Sequence, residues 1–91
     1  MLCSCKLSCT VTPGMFRGEY VAKLNTISPS GERKDAHVFV NEICLENIQR
    51  NHALLKATTV SNSKKGVGVL LPQPTFENGP YILVPKESLV K

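Results

Sequence analysis

The sequence predicts a mostly β protein, a small antiparallel barrel or sandwich of five or six short strands, and three observations predict it. The first twelve residues alternate apolar and polar side chains, and Pro, Gly and Asn turn signals recur every several residues. The third is size: 91 residues, 42% apolar and 20% charged, bury roughly 60–65% of the surface that the unfolded chain exposes, which suffices for one core and not two. Residues 1–91 are therefore expected to form a single small β domain, without the long polar tracts that mark disorder.

Strand 1 is the clearest element. Met1, Cys3, Cys5, Leu7, Cys9 and Val11 alternate with Leu2, Ser4, Lys6, Ser8, Thr10 and Thr12. After Leu2 the period is strictly two, as a half-buried strand requires, because successive side chains point to opposite faces. Pro13-Gly14 ends it. A second strand follows from Glu19 to Thr26, with Tyr20, Ala22 and Leu24 on one face. Ser28-Pro29-Ser30-Gly31 and the charged run Glu32–Asp35 form a hairpin tip, and Ala36–Val40 returns as a third strand. Within these strands Tyr20 and Phe39 are expected in the core.

Residues 42–50 fit a short helix or helical turn. Asn41 caps it, Glu42 stands in its first turn, Arg50 in its last, and Ile43, Cys44, Leu45 and Ile48 recur at helical spacing. Its β-branched residues and its Asn suit an irregular crossover equally well. Leu54–Ser61 and Val67–Leu71, joined by Asn62-Ser63-Lys64-Lys65-Gly66, read as a hairpin. Gly68 inside its second strand marks a bulge or a close approach. Pro72, Pro74 and Asn78-Gly79-Pro80 bracket a loop before the last strand, Tyr81–Val84, and the tail from Lys86 to Lys91 is one turn. In size and strand pattern the chain resembles SH3-like and OB-like barrels, a likeness of architecture that implies no function.

Composition narrows the function classes. The longest apolar runs span only a few residues, against about 20 for a membrane-spanning helix, so no membrane role is expected. Neither a basic nor an apolar leader segment precedes Leu2-Cys3-Ser4-Cys5, so a signal peptide or lipoprotein leader is not expected. The net charge of +4 is spread from Lys6 to Lys91 and favours weak contact with anionic surfaces without naming a partner.

Cys3, Cys5, Cys9 and Cys44, with His37 and His52, are the conceivable metal ligands. On an extended strand, Cys3 and Cys9 stand roughly 20 Å apart, whereas bonds to one zinc are about 2.3 Å. Buried structural thiols in a reducing, cytoplasmic setting are the simpler expectation. Cys44 with His37 or His52 and Asp35 is the nominal nucleophilic set, but no local signature joins them, and the chain is expected not to be an enzyme. Gly66-Val67-Gly68 lacks the third glycine and the following helix of a phosphate cradle, so no nucleotide cofactor is implied.

Two candidate surfaces remain. Met15, Phe16 and Arg17 lie in the loop after Pro13-Gly14, and Phe76 lies in another; aromatic, Met and Arg side chains are enriched at protein interfaces. The leading expectation is a non-catalytic binding or accessory module that engages a protein partner through these loops. The alternatives are a nucleic-acid binder using Lys23, Arg33, Lys34, Lys64 and Lys65, and a thiolate metal-binding domain. Self-association through an open sheet edge is a further expectation.

Overall fold

The computed structural model describes residues 3–28, 30–76 and 79–90. Met1, Leu2, Pro29, Asn78 and Lys91, assigned above to strand 1, two turns and the tail, lie outside them. The described residues form eight strands: β1 (Cys3–Pro13), β2 (Glu19–Ile27), β3 (Arg33–Asn41), β4 (Leu45–Gln49), β5 (His52–Asn62), β6 (Val67–Leu70), β7 (Tyr81–Val84) and β8 (Leu89–Val90). Two 3-10 turns, Glu42–Cys44 and Lys86–Ser88, are its helical segments among the described residues. All pairings between strands are antiparallel, and the main path runs β3-β2-β1-β5-β6-β7. The sheet curls into a half-barrel of the small β-barrel class.

The period-two pattern of β1 becomes its burial pattern. Leu7, Cys9 and Val11 point into the core, whereas Ser8, Thr10 and Thr12 face outward. Register carries the same face across the sheet: Leu7 pairs with Leu55, Cys9 with Ala53 and Val11 with Ala22. Leu24, Val38, Val40, Val69, Ile82 and Val84 complete the interior. Burying such a side chain contributes roughly 1.5–3 kcal/mol.

β5 organises the sheet. Its residues 52–59 pair with β1 along one edge, while on the other its first half takes β4 and its second half takes β6. The register slips between Thr59 and Ser61, opposite Gly68 and Val69. That bulge adds the local twist by which a flat ribbon curls. Gly68 sits at this bend because Ser61 and Tyr81, hydrogen-bonded to each other at 3.0 Å, close over it, and a Cβ there would collide with both hydroxyls.

The strand count exceeds the expected five or six because of β8 and of β4, which forms in the segment read as helical. Asn41 does cap residues 42–44, its Oδ1 accepting the Ile43 N–H at 3.1 Å, but helix stops there and Leu45 enters β4. Of the four apolar residues at helical spacing, Leu45 is buried, whereas Ile43 and Ile48 are exposed. One buried residue per two turns gives a helix little to pack with, whereas β4 satisfies its backbone against β5. Of the tail read as one turn, Lys86–Ser88 is a 3-10 turn, whereas Leu89–Val90 form β8 and pair with Lys6 and Leu7 of β1. Strand β3 begins at Arg33, inside the charged run assigned to the hairpin tip, because Ile27–Arg33 and Thr26–Lys34 continue the β2 ladder.

Candidate functional site

The β1–β2 connection is a built turn. Gly14 N–H donates to the Glu19 carbonyl at 2.7 Å, and Glu19 N–H to the Phe16 carbonyl at 3.1 Å. A third bond, Glu42 N–H to the Gly18 carbonyl at 2.8 Å, ties this turn to the 3-10 turn that carries Ile43. With the backbone held inward, the side chains point to solvent: Met15 is 87%, Phe16 72% and Ile43 75% exposed, and Arg17 is exposed beside them. Ile43 belongs to this end too, although the sequence reading groups it with Cys44, Leu45 and Ile48 as the apolar residues of a short helix.

Phe76 occupies a different face. Its N–H donates to the His37 carbonyl at 2.7 Å, next to a bridge between Val38 and Thr75, so the segment before β7 lies along the outer edge of β3. Its ring packs against Phe39 with centroids 4.7 Å apart and lies nearly parallel to His37 at 6.2 Å. Phe39 is 44% exposed and Phe76 54%. The core assignment of Phe39 is thus wrong, while Tyr20 is half-buried against the core. The correction was available in the sequence: Ala36, Val38 and Val40 take the inward face of β3, leaving Asp35, His37 and Phe39 outward.

On that outward face the register aligns two rows. Phe39 pairs with Val21, and Val21 with Thr12; His37 pairs with Lys23, Lys23 with Thr10, and Thr10 with His52. His52 Nε2 also lies 3.3 Å from Ser8 Oγ. This exposed pair bridges neighbouring strands on an open face, where water competes for both groups. Cys44 packs on the core side while Asp35 and His37 face outward, so the nominal nucleophilic set is not assembled.

The basic residues Lys23, Arg33, Lys34, Lys64 and Lys65 are all exposed. Two of the segments that carry them converge. A Cβ built on Gly66, after Lys64-Lys65, would meet Ile27 Cδ1 at 3.0 Å, and Ile27 pairs with Arg33. Arg33 is engaged by Glu87 at 2.8 Å, and this hydrogen bond lowers the Glu87 pKa. Lys23 stands further along β2, toward the aromatic rings. Elsewhere Lys6 pairs with Glu46 at 3.2 Å.

The thiols follow the strand. Cys3 is exposed, Cys5 and Cys44 are half-buried, and Cys9 is buried, with its Sγ–H donating to the Ala53 carbonyl at 3.4 Å. Cys3, Cys5 and Cys9 pair in turn with Thr59, Ala57 and Ala53 along one continuous ladder, and among the described residues no three His, Cys, Asp or Glu groups are placed to hold a metal ion. No described helix is long and apolar enough to cross a membrane.

Two open clefts flank the sheet. One, of about 840 Å³, separates the end of the β2–β3 hairpin from β7 and is lined by Ile27, Lys34, Asp35 and Tyr81 among others. The other, of about 630 Å³, lies where β5 parts from β4 to β6, between Lys6, Lys56 and Leu70.

Fold and surface together define an antiparallel small-barrel protein with an apolar turn at one end and an aromatic outward face. No protein-family model, curated protein or solved structure matches the chain.

Proposed function

We propose that the chain is a non-catalytic binding module that engages a protein partner through the end of the sheet formed by the Gly14–Gly18 turn and the Glu42–Cys44 turn. The observation that carries this reading is the exposure of Met15, Phe16 and Ile43 on backbone that is hydrogen-bonded in place. Three such side chains present on the order of 400 Å² of surface, the scale at which apolar patches mark interaction sites. A held turn also loses little conformational entropy on docking, so more of the burial energy goes into affinity. Arg17 beside them supplies the cation common at interface hot spots. Four free cysteines, one of them exposed, fit a reducing, cytoplasmic setting.

The test replaces Phe16 with a photo-crosslinking amino acid in extract of the source cell. A defined adduct is expected that is absent when the crosslinker stands at Lys64. Excess wild-type chain should compete it away, and a Met15→Ser/Phe16→Ser chain should not. Crosslinking that is equal at both positions, or unaffected by competitor, overturns the proposal.

A further inference from the structure

We propose that the outward face of the β2–β3 hairpin is a second binding site, one for single-stranded nucleic acid. The bases stack on Phe39 and Phe76, and the phosphates run past Lys23 toward the basic end of the hairpin. The site is independent of the apolar turn proposed as the protein interface.

Three observations meet here. First, two phenyl rings in contact at 4.7 Å, with His37 alongside, are half-exposed on an outward strand face and its bordering segment. Aromatic rings displayed on a sheet are the platform on which single-stranded bases stack, and every base has a π-face to offer. Second, the register places cations in line with the rings. Lys23 is opposite His37, two residues along β3 from Phe39, and Arg33 ends the same face of that strand. From Phe39 to Arg33 is six residues, roughly 20 Å of strand. Third, Lys64-Lys65 belong to the turn that meets Ile27 at that same end. Aromatic and basic groups thus occupy opposite ends of one stripe on a chain of net charge +4. Asp35 is an acidic group within the stripe, and Glu87 draws on Arg33 at its end, so the phosphates are taken to run past Lys23 toward the Lys64-Lys65 turn. A duplex keeps its bases stacked on one another and leaves the rings unused, so the geometry selects single strands.

The chain contains no Trp, so a Phe39→Trp variant carries a unique fluorophore at the stacking position. Fluorescein-labelled oligothymidine, its RNA counterpart, a duplex of the same length and an oligoglutamate peptide are titrated against wild type and F39W. Single strands should bind and quench F39W emission, with affinity falling steeply between about 50 and about 200 mM salt. Phe76→Ser should weaken binding by about fivefold or more, and Lys23→Gln should lower the salt slope by about one. Phe16→Ser should change nothing, which separates this site from the proposed protein interface. Circular dichroism reports whether Phe76→Ser disturbs the sheet, and F39W, which keeps a ring, reads stacking independently of that variant. No binding at the lower salt overturns the proposal. So does duplex binding as tight as single-strand binding with unquenched F39W emission, or equal quenching by oligoglutamate.

Discussion

Cys9 is 3% exposed, and its environment sets its chemistry. Burial pushes its thiol up from an ordinary 9.0 to about 11, because the thiolate would lose hydration with only a carbonyl facing it. The folded pKa lies above the unfolded one, so the unfolded chain releases this proton first. Stability from this site is complete below pH 9 and is lost as pH rises toward about 11. The midpoint of urea unfolding should therefore fall between those pH values, and a Cys9→Ala chain, less stable at pH 7, should show a shallower fall. In the native chain a thiol reagent at pH 8 should modify exposed Cys3 and spare Cys9, and full protection of Cys3 would contradict its placement. Two glycines extend the residue scale. A Cβ at Gly66 would lie 2.5 Å from the Val84 carbonyl oxygen, a backbone atom within β7, whereas at Gly68 it would meet the movable ends of Tyr81 and Ser61. Gly66→Ala should cost more than Gly68→Ala in chemical denaturation, with Gly68→Ala at about 1–2 kcal/mol for one displaced hydrogen bond and local crowding.

The β4–β5 hairpin turns at Arg50-Asn51, between Gln49 and His52, with Arg50 at φ 56°. A side chain in this left-handed region costs roughly 1–2 kcal/mol, which glycine does not incur. Arg50→Gly should raise the denaturation midpoint, by up to about 1 kcal/mol after the unfolded chain's added entropy is subtracted. No gain would mean that the Arg50 side chain makes compensating contacts. How legible each element is follows from how its burial is achieved. β1, β2 and the β5–β6 hairpin bury one face each, so alternation displays them and their register follows. Residues 42–50 bury almost nothing by themselves. Their strand is imposed by the edge β5 offers, a long-range fact that no local spacing contains. The same contrast governs the sites. Met15 and Phe16 stand out because apolar residues fill a turn. Phe39, however, sits between Val38 and Val40 and reads as core until the period of two is applied to it. The pairing of Phe39 with Phe76, 37 residues away, depends on where the β6–β7 connection lies, and that is visible only in the fold.

At the scale of the whole molecule the decisive feature is how a curled sheet manages its open edges. β3 ends the main path on one side and β7 on the other. Unpaired strand edges are templates for association with another chain. Here the segment before β7 covers β3: Phe76 N–H reaches the His37 carbonyl, Thr75 bridges Val38, and the buried Thr75 hydroxyl donates to the Gly79 carbonyl at 3.1 Å. At the hairpin end, Arg33 and Glu87 link β3 to the turn before β8, but both are largely exposed, so this pair contributes little. The Phe76 backbone bond is therefore the main latch on that edge. Phe76→Pro removes the donor, and Phe76→Ala removes the ring while keeping the N–H. The difference between the two isolates the latch, expected at about 1–2 kcal/mol. Amide exchange should show Phe76→Pro opening the β3 edge. Sedimentation velocity should show concentration-dependent self-association for Phe76→Pro and not for Phe76→Ala. If both variants sediment as the wild type does, the charged residues Arg33, Lys34 and Asp35 alone suffice to keep the β3 edge from pairing.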